Sequence, residues 1–468
     1  LHEDHMRWQQ HIAATTASYE RQIEYLNRIV ERSGPQAQAA QASVPTIPGT
    51  VREGDQILVR VPSFSGNTCT QSVDITARVR RMTAQAILLE DVGNPEQLTQ
   101  PVVDQAMAAF TTVYAIDVDH FGAPGDLDQN QRIAILVTKE VNKASSPPLG
   151  FVSYGDLFPT TQCSASNEGE VFYLRSSDPT GQYTAGVYTA TTLASNFTLL
   201  LAHEFAHIIQ ATRRRAAGSS FMPSWLAEGL ATGAQEVVGF QMLGLQNAAN
   251  YGANTVYANL GADPRFFFNF AGDWIAYFGF DFTNRVKIAA TPEECSWVGN
   301  TAAGGNPGPC QFATRLLYGL PWLVVKYTID RHLGGAANQK QYLRAFSDYR
   351  GTPGFAELQG VLGRTPSEML AQWAAMLYID DRYPAATALQ LANWNIRNIV
   401  AAWQSPNADF IPRTRGFSNF TDNFTVRAGS SAYYEISGAN RPATAVRFRG
   451  DAGVSLPPFM QVWIVRVQ

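Results

Sequence analysis

The sequence is poor in charge and in long apolar runs, and each shortage excludes a class of protein. Charged residues make up only 16% of the 468 residues, and the net charge is −4. Nucleic-acid-binding proteins usually concentrate positive charge on one surface, so we expect no nucleic-acid partner. The longest apolar stretches, such as 320–329, are too short to cross a bilayer, and this one is interrupted by Pro321 and Lys326. We therefore expect no transmembrane segment.

Cysteine is also scarce. The four cysteines are Cys69, Cys163, Cys295 and Cys310, and no two form a CxxC pair, so a cysteine-based zinc site is not expected. An even number in a chain rich in glycine and proline suits two disulfides formed in an oxidising compartment. Cys295 and Cys310 flank a loop of Gly, Pro and Asn that they would close, which leaves Cys69 to pair with Cys163. Four buried free thiols are the alternative.

The order of apolar patterns divides the chain into three regions. Residues 1–50 are predicted to form an exposed amphipathic helix, over 6–32, followed by a linker rich in alanine, glutamine and proline. Residues 51–400 carry short strands up to about residue 190 and apolar helices after it. Residues 405–468 are predicted to form a small, truncated β-sandwich-like domain. The predicted class is α+β, with a sheet-bearing lobe and a helical lobe in the central region.

Individual elements follow from local periodicity and turn signals. A helix is predicted to begin at Thr365, where Pro366 follows the threonine N-cap and Glu368 completes a capping box. Helices are also predicted over 98–116 and 190–215, and strands over 56–61, 74–79, 86–89, 133–138, 170–174, 424–426, 432–436 and 462–465.

Residues 203–207 read HEFAH and lie in a strongly apolar helical segment. On a helix, His203 and His207 project from one face one turn apart, so both imidazoles can bind one Zn²⁺. Glu204 lies at the edge of the same face, where it can contact a catalytic water without binding the metal. As ordinary core residues, these ionisable groups would be buried without a shared partner, at a considerable desolvation cost. The motif therefore predicts a zinc-binding helix.

A catalytic zinc needs a third protein ligand. The segment WLAEGLA at 225–231 is a second apolar helix with a single carboxylate, Glu228. Two helices joined by a loop can pack antiparallel and bring Glu228 to the metal. His203, His207 and Glu228 are thus the predicted zinc ligands, and HExxH followed by WLxEGxA is far more specific than HExxH alone.

These zinc motifs resemble those of the gluzincin metallopeptidases, a group that includes thermolysin and the zinc aminopeptidases. Within that group the chain is most similar to the hyicolysin family of secreted bacterial peptidases. The similarity covers roughly residues 50–385, and only its zinc motifs are specific. It is carried by DLDQN at 126–130 with the strand after it, SNEGEVFY at 166–173, HEFAH, WLAEGLA, and WAAMLYIDD at 373–381.

The resemblance implies that His203, His207 and Glu228 bind zinc and that Glu204 is the general base of peptide hydrolysis. It also implies a zincin-like two-lobed domain with the site between the lobes. Zinc would activate water and polarise the scissile carbonyl, while Glu204 would pass the proton to the leaving amine. The chain lacks the GxMEN segment with which zinc aminopeptidases hold a free amine, which favours an endopeptidase.

Two further parts of the chain are candidates for catalysis or substrate binding. The tetrahedral oxyanion needs a donor, and the candidates are Tyr318 at the start of a helix and His332 at its end. Core packing of Tyr318 and helix capping by His332 are the alternatives. The segment 168–174 is a candidate sheet edge that would pair with an extended substrate, and an ordinary strand is the alternative.

Asp126, Asp128 and Asn130 resemble the start of a calcium-binding loop. The sixth loop position is Gln131 rather than glycine, and the twelfth is Val137 rather than glutamate, so a complete EF-hand is excluded. A partial Ca²⁺ site at these residues is one prediction. An Asx-type turn before a strand is the other.

We therefore expect a secreted or cell-surface bacterial zinc endopeptidase that acts on protein or peptide substrates. Zn²⁺ is the expected cofactor, and Ca²⁺ is a second candidate ion. The alternatives are a zinc aminopeptidase and a non-catalytic binding or adhesion protein built on the same scaffold. The sequence leaves cleavage specificity and oligomeric state open.

Overall fold

A mixed six-stranded sheet and a set of helices form the part of the protein that the computed structural model describes. The described residues are 20–32, 46–63, 67–144, 147–183, 186–258, 277, 280–281, 286–287, 292–298, 316–404, 412, 414–416, 425–435, 447–449, 455–456 and 460–465. The predicted α+β class is confirmed for these residues.

The sheet comes from the first half of the chain. Its strands are β1 (Gln56–Pro62), β2 (Ser72–Met82), β3 (Ala86–Asp91), β4 (Ile133–Thr138), β5 (Gly150–Val152) and β6 (Val171–Arg175). They are arranged in the order β1-β2-β3-β4-β6-β5. β3, β4 and β6 are parallel, whereas the pairs β1–β2, β2–β3 and β5–β6 are antiparallel.

The three parallel strands are buried along their whole length, as expected for strands covered on both faces. Alternate side chains of a strand point to opposite faces. Leu88, Ile135 and Phe172 therefore join a large core shared with the helices. Ile87 and Leu136 join a smaller core that also contains apolar residues of β1 and β2. The sheet thus curls around this smaller core.

The helices follow the predicted pattern in most places. They are α1 (described over 20–32), α2 (Gln100–Phe121), α3 (Lys139–Asn142), α4 (Ala190–Ala217), α5 (Ser224–Met242), α6 (Ala253–Ala258), α7 (Leu316–His332), α8 (Ala336–Ser347), α9 (Phe355–Leu362), α10 (Pro366–Ile379) and α11 (Ile396–Gln404). The predicted start of α10 is confirmed, because the Thr365 side chain accepts a hydrogen bond from the Glu368 N–H at 3.3 Å. Helix α4 packs against both α2 and α5, and α5 packs against α7.

Helix α1 is part of the core. Ile23, Leu26 and Val30 are each 3% exposed or less and belong to the large helical core. An amphipathic helix is thus confirmed over 20–32, with its polar face exposed and its apolar face buried. Residues 6–19 of the predicted helix lie outside the described residues. The sequence pattern identifies the apolar face of α1 but does not indicate which part of the protein packs against that face.

The prediction of a sheet edge at 168–174 is wrong, and the alternative of an ordinary strand is confirmed. β6 is hydrogen-bonded to β4 on one side and to β5 on the other, so its backbone is already paired. The edge strand on this side of the sheet is β5, which has only three residues, Gly150–Val152. A strand this short carries too little alternation to be predicted from its pattern.

The C-terminal region is described only in parts. Arg415–Gly416 pairs in parallel with Tyr434–Glu435, within the predicted strand over 432–436. Residues 425–426 and 461–465 have no regular secondary structure, and Ile464 is 91% exposed, so the apolar pattern there has no covering layer among the described residues. The β-sandwich-like domain and the two-lobed arrangement stay predictions. The remaining described strands, Phe280–Asp281 and Val286–Lys287, form a short antiparallel pair.

The predicted disulfide between Cys69 and Cys163 is confirmed, with Cα atoms 4.5 Å apart. Cys295 is also disulfide-bonded, and Cys310 lies outside the described residues. Four free thiols are therefore excluded. Among the helices within the described ranges, none combines the length and apolar character needed to cross a membrane.

Candidate metal centre

Helix α4 carries two of the predicted zinc ligands and has a defined signal at each end. The Thr189 side chain accepts a hydrogen bond from the Thr192 N–H at 3.1 Å, which caps the N-terminus. The helix ends at Gly218, whose φ of 68° lies in the left-handed region that glycine adopts without steric cost. These two signals fix the length of α4 on either side of HEFAH.

Aromatic packing sets the rotation of α4. The ring of Phe205 lies 5.2 Å from that of Phe110 on α2, and Phe110 in turn lies 5.9 Å from Phe172 on β6. Phe205 is two residues from each histidine of the motif, which places it on the opposite side of the helix. Anchoring Phe205 to α2 therefore turns His203 and His207 away from that contact and towards α5.

The turn between α4 and α5 is held by helix α1. The Asn27 side-chain oxygen accepts a hydrogen bond from the Phe221 N–H at 2.7 Å. Glu20 accepts one from the Ser224 N–H at 3.2 Å, at the first residue of α5. A carboxylate at this position satisfies a free N–H and complements the helix dipole. Helix α1 thus helps to position the helix that carries Glu228.

Three donor atoms from α4 and α5 converge on one point. His203 Nε2 lies 3.0 Å from Glu228 Oε2 and 3.3 Å from His207 Nε2. His207 Nε2 lies 3.5 Å from the same Glu228 oxygen. The structure therefore brings together the three residues that the sequence predicts as zinc ligands, in a group able to hold a metal ion.

The spacing of these atoms fits a tetrahedral zinc ion. Bonds of about 2.0–2.1 Å in tetrahedral geometry separate neighbouring ligand atoms by roughly 3.3–3.4 Å. The three observed separations, 3.0, 3.3 and 3.5 Å, bracket that value.

The two glutamates of the centre have opposite electrostatic environments. Burial acts to raise the pKa of Glu228, but the charges of His207 and His203 and their hydrogen bonds outweigh it and lower the pKa to about 2. Burial raises the pKa of Glu204 to about 8, with His203 opposing and Glu228 adding to the shift. Glu204 is only 4% exposed. Glu228 is thus suited to remain ionised as a ligand, and Glu204 to exchange a proton.

Tyr154 is a site residue that no sequence motif indicates. Its hydroxyl lies 3.5 Å from Nδ1 of His207, the ring nitrogen that does not face Glu228. Metal-binding histidines usually engage their second nitrogen with a polar partner, which fixes the tautomer and the ring orientation. Tyr154 begins a short 3₁₀ helix soon after β5. The proximity of Tyr154 to His207 therefore depends on the position of β5 in the sheet.

Two glycines on α5 allow α7 to approach the centre. A Cβ on Gly229 would lie 2.7 Å from the Pro321 Cβ, and one on Gly233 would lie 2.5 Å from the Trp322 ring. Only residues without a side chain permit this contact between the helices. The first turns of α7 therefore pack closely against α5, the helix that carries Glu228.

Tyr318 lies in the first turn of α7 and reaches the metal centre. Its ring centroid is 5.9 Å from that of His203. His332 is at the other end of the helix, about 21 Å along the axis from Tyr318 at 1.5 Å per residue. It packs edge-on against Tyr327, with ring centroids 5.6 Å apart. The structure thus places Tyr318, but not His332, at the centre, and the role of Tyr318 as oxyanion donor stays a prediction.

A second group of acidic residues contains two of the three predicted calcium ligands. One oxygen atom each of Asp126, Asp128 and Glu170 lies within 4.8 Å of the others. Asn130 instead turns its amide nitrogen to Asp128 at 2.6 Å, while its oxygen accepts a hydrogen bond from the Arg132 N–H at 2.7 Å. Burial, and then the charge of Asp128, raise the pKa of Glu170 to about 8. The structure therefore adds Glu170 to the group.

No protein-family model and no curated protein matches the chain. The resemblance to gluzincins therefore rests on HEFAH and WLAEGLA and stays a prediction. The functional proposal depends on these motifs and on the geometry of the metal centre.

Proposed function

We propose that the protein is a secreted zinc-dependent endopeptidase. The observation that carries this proposal is the convergence of His203 Nε2, His207 Nε2 and Glu228 Oε2 at separations of 3.0–3.5 Å. Three protein ligands of these types are characteristic of catalytic zinc, which keeps a fourth position for water or substrate. Structural zinc sites usually have four protein ligands, so a catalytic role is favoured over a structural one.

The proposed roles follow from the chemistry of each side chain. When bound, zinc would activate water and polarise the scissile carbonyl. His203, His207 and Glu228 would hold the ion, and the Tyr154 hydroxyl would orient the imidazole of His207. Glu204 adjoins a ligand and makes no side-chain hydrogen bond among the described residues. It is thus available to take a proton from the attacking water and deliver it to the leaving amine.

Tyr318 is the proposed donor to the tetrahedral oxyanion. Its ring approaches His203 from α7, a different helix from those that carry the ligands. A phenol at this place can donate a hydrogen bond to an oxygen that becomes negative during the reaction. Replacing Tyr318 by Phe removes only the hydroxyl, so the variant should lose turnover while it keeps its metal.

The choice of endopeptidase over aminopeptidase rests on the sequence. No GxMEN segment is present to hold a free α-amine. Secretion is proposed because disulfides persist mainly in oxidising compartments, and the chain has one between Cys69 and Cys163. The substrates on this proposal are proteins or peptides cleaved at internal bonds.

The test is hydrolysis of a broad library of peptides with blocked amino termini, followed by mass spectrometry. We expect internal cleavage by the full chain loaded with one zinc, loss of cleavage on chelation, and recovery when zinc is restored. Glu204→Gln should keep its zinc and lose about 10²- to 10⁴-fold in rate. The matched control is Glu31→Gln, an exposed glutamate on α1, which should keep full activity.

Two other outcomes would replace the proposal. If the zinc-loaded wild type cleaves no blocked peptide but removes residues one by one from free amino termini, the protein is an aminopeptidase. If it cleaves neither kind of peptide, the scaffold is non-catalytic, and a binding or adhesion role replaces hydrolysis.

A further inference from the structure

The acidic group at Asp126, Asp128 and Glu170 is formed by two segments brought together by strand pairing. Asp126 and Asp128 lie in the loop between α2 and β4, and Glu170 immediately precedes β6. β4 and β6 are neighbours in the sheet, and the Ala134 N–H donates to the Glu170 carbonyl at 2.8 Å. The loop that enters β4 is therefore held next to the residue that enters β6. One oxygen of each carboxylate then lies within 4.8 Å of the others.

Glu170 has a buried oxygen that no described residue satisfies. The side chain is 1% exposed, and its Oε1 accepts a hydrogen bond from the Leu127 N–H at 2.8 Å. Its Oε2 is fully buried and has no hydrogen-bond partner among the described residues. Buried carboxylate oxygens are rarely left unpaired, because the desolvation penalty is large. The unpaired oxygen belongs to the carboxylate that meets Asp126 and Asp128, which indicates a ligand at that point.

The hydrogen bonds around the group orient the carboxylates without neutralising them. Asp126 Oδ1 accepts from the Gln131 N–H, and Asp128 Oδ1 accepts from the Asn130 N–H, both at 3.1 Å. No described lysine, arginine or histidine forms an ion pair with any of the three acids. When all three are ionised, carboxylates this close repel one another, which adds to the raised pKa of Glu170. A cation between them would relieve that repulsion and favour the ionised forms.

The chemistry of the three side chains indicates which cation the group would bind. All three side chains offer carboxylate oxygens, which hard ions prefer, whereas zinc in proteins is usually bound by nitrogen or sulfur. Calcium accepts six to eight oxygens in flexible geometry, while magnesium demands a compact octahedron and keeps most of its water. A loop that supplies two carboxylates, with a third from a neighbouring strand, suits the less demanding ion.

We propose that Asp126, Asp128 and Glu170 bind one calcium ion, which fastens the loop before β4 to the start of β6. The same loop contacts the helix of the metal centre, because the Gly125 N–H donates to the Thr212 hydroxyl on α4 at 2.9 Å. Calcium therefore stabilises the loop before β4, which contacts α4. The ion has a structural role, and its binding does not depend on whether the protein hydrolyses peptides.

The test is calcium binding by the full chain, loaded with zinc and freed of calcium, in isothermal titration with CaCl₂. We expect one saturable site per chain and a rise in unfolding temperature with calcium, because a ligand that binds only the folded state stabilises it. Glu170→Gln and Asp126→Asn should each weaken calcium binding by more than about tenfold, since the charge of the ligand set controls affinity. Asp74→Asn on β2, an exposed acid, is the matched control and should bind calcium like the wild type.

Zinc content serves as the folding control for each variant. Asp126 is exposed, so Asp126→Asn should fold even if the change at buried Glu170 does not. Absence of saturable calcium binding to the zinc-loaded wild type would overturn the proposal. So would unchanged affinity in a folded Asp126→Asn variant, or saturation by MgCl₂ at lower concentration than by CaCl₂.

Discussion

Glu204 should lower the stability of the metal-free protein, and replacing it by glutamine should remove that cost. Burial raises the pKa of Glu204 from 4.5 to about 8. In the unfolded chain the carboxyl loses its proton near pH 4.5, but in the folded protein it keeps it until about pH 8. Above pH 4.5 the unfolded state is therefore favoured by this residue, and the penalty on folding grows as the pH rises.

The size of the effect follows from 1.36 kcal/mol per unit of pKa difference. Glu204 therefore lowers the free energy of unfolding by about 3 kcal/mol at pH 7, and the loss levels off near 5 kcal/mol above pH 8. Glutamine has nearly the shape of the protonated acid and does not titrate. The metal-free Glu204→Gln variant should therefore match the wild type at pH 4.5 and exceed it by about 3 kcal/mol at pH 7.

The assay is urea denaturation of both chelated proteins at several pH values between 4.5 and 8, with Glu31→Gln as the exposed control. Binding of zinc should shrink the difference, because a nearby dication favours the ionised form of Glu204. A difference in unfolding free energy that stays constant over this pH range would refute the reasoning. A Glu204→Gln variant less stable than the wild type at pH 7 would refute it as well.

Three further predictions concern the metal centre and its support. Glu228→Ala should weaken zinc binding by more than about a hundredfold in competition with a chelator, since loss of a group that merely supports a ligand already costs about 10–100-fold; unchanged zinc affinity would exclude Glu228 as a ligand. Replacing Cys69 and Cys163 by serine should lower the unfolding free energy by about 4–5 kcal/mol, because the bond closes a loop with a sequence separation of 94; a loss under about 1 kcal/mol in urea denaturation would contradict this. Gly233→Ala should destabilise the protein by about 1–3 kcal/mol, because the new Cβ would lie 2.5 Å from the Trp322 ring; an unchanged urea midpoint would show that the helices α5 and α7 are not in close contact.

The convergence of His203, His207 and Glu228 was predictable because helical geometry is local. Residues four apart on an apolar helix share a face whatever the rest of the fold does. Glu228 was predictable for a related reason, since it is the only carboxylate in the first two turns of the next apolar helix and a short turn connects the two helices. The central strands were also predictable, because their apolar runs are bounded by turn signals.

The supporting residues were not predictable because they depend on pairing between distant segments. Tyr154 reaches His207 only because a three-residue edge strand joins β6. Glu170 meets Asp126 only because β4 and β6 are neighbours, which no local pattern reveals. Helix α1 shows an amphipathic pattern in the sequence, but the turn that it holds, at Phe221, lies far along the chain.

The central claim is that one zinc ion is bound by His203, His207 and Glu228. Anomalous diffraction from crystals of the full chain, recorded on both sides of the zinc absorption edge, tests it most directly. We predict one strong peak about 2.0–2.2 Å from Nε2 of each histidine and from a carboxylate oxygen of Glu228. A peak at any other set of residues, or no peak in a protein that carries one zinc per chain, would contradict it.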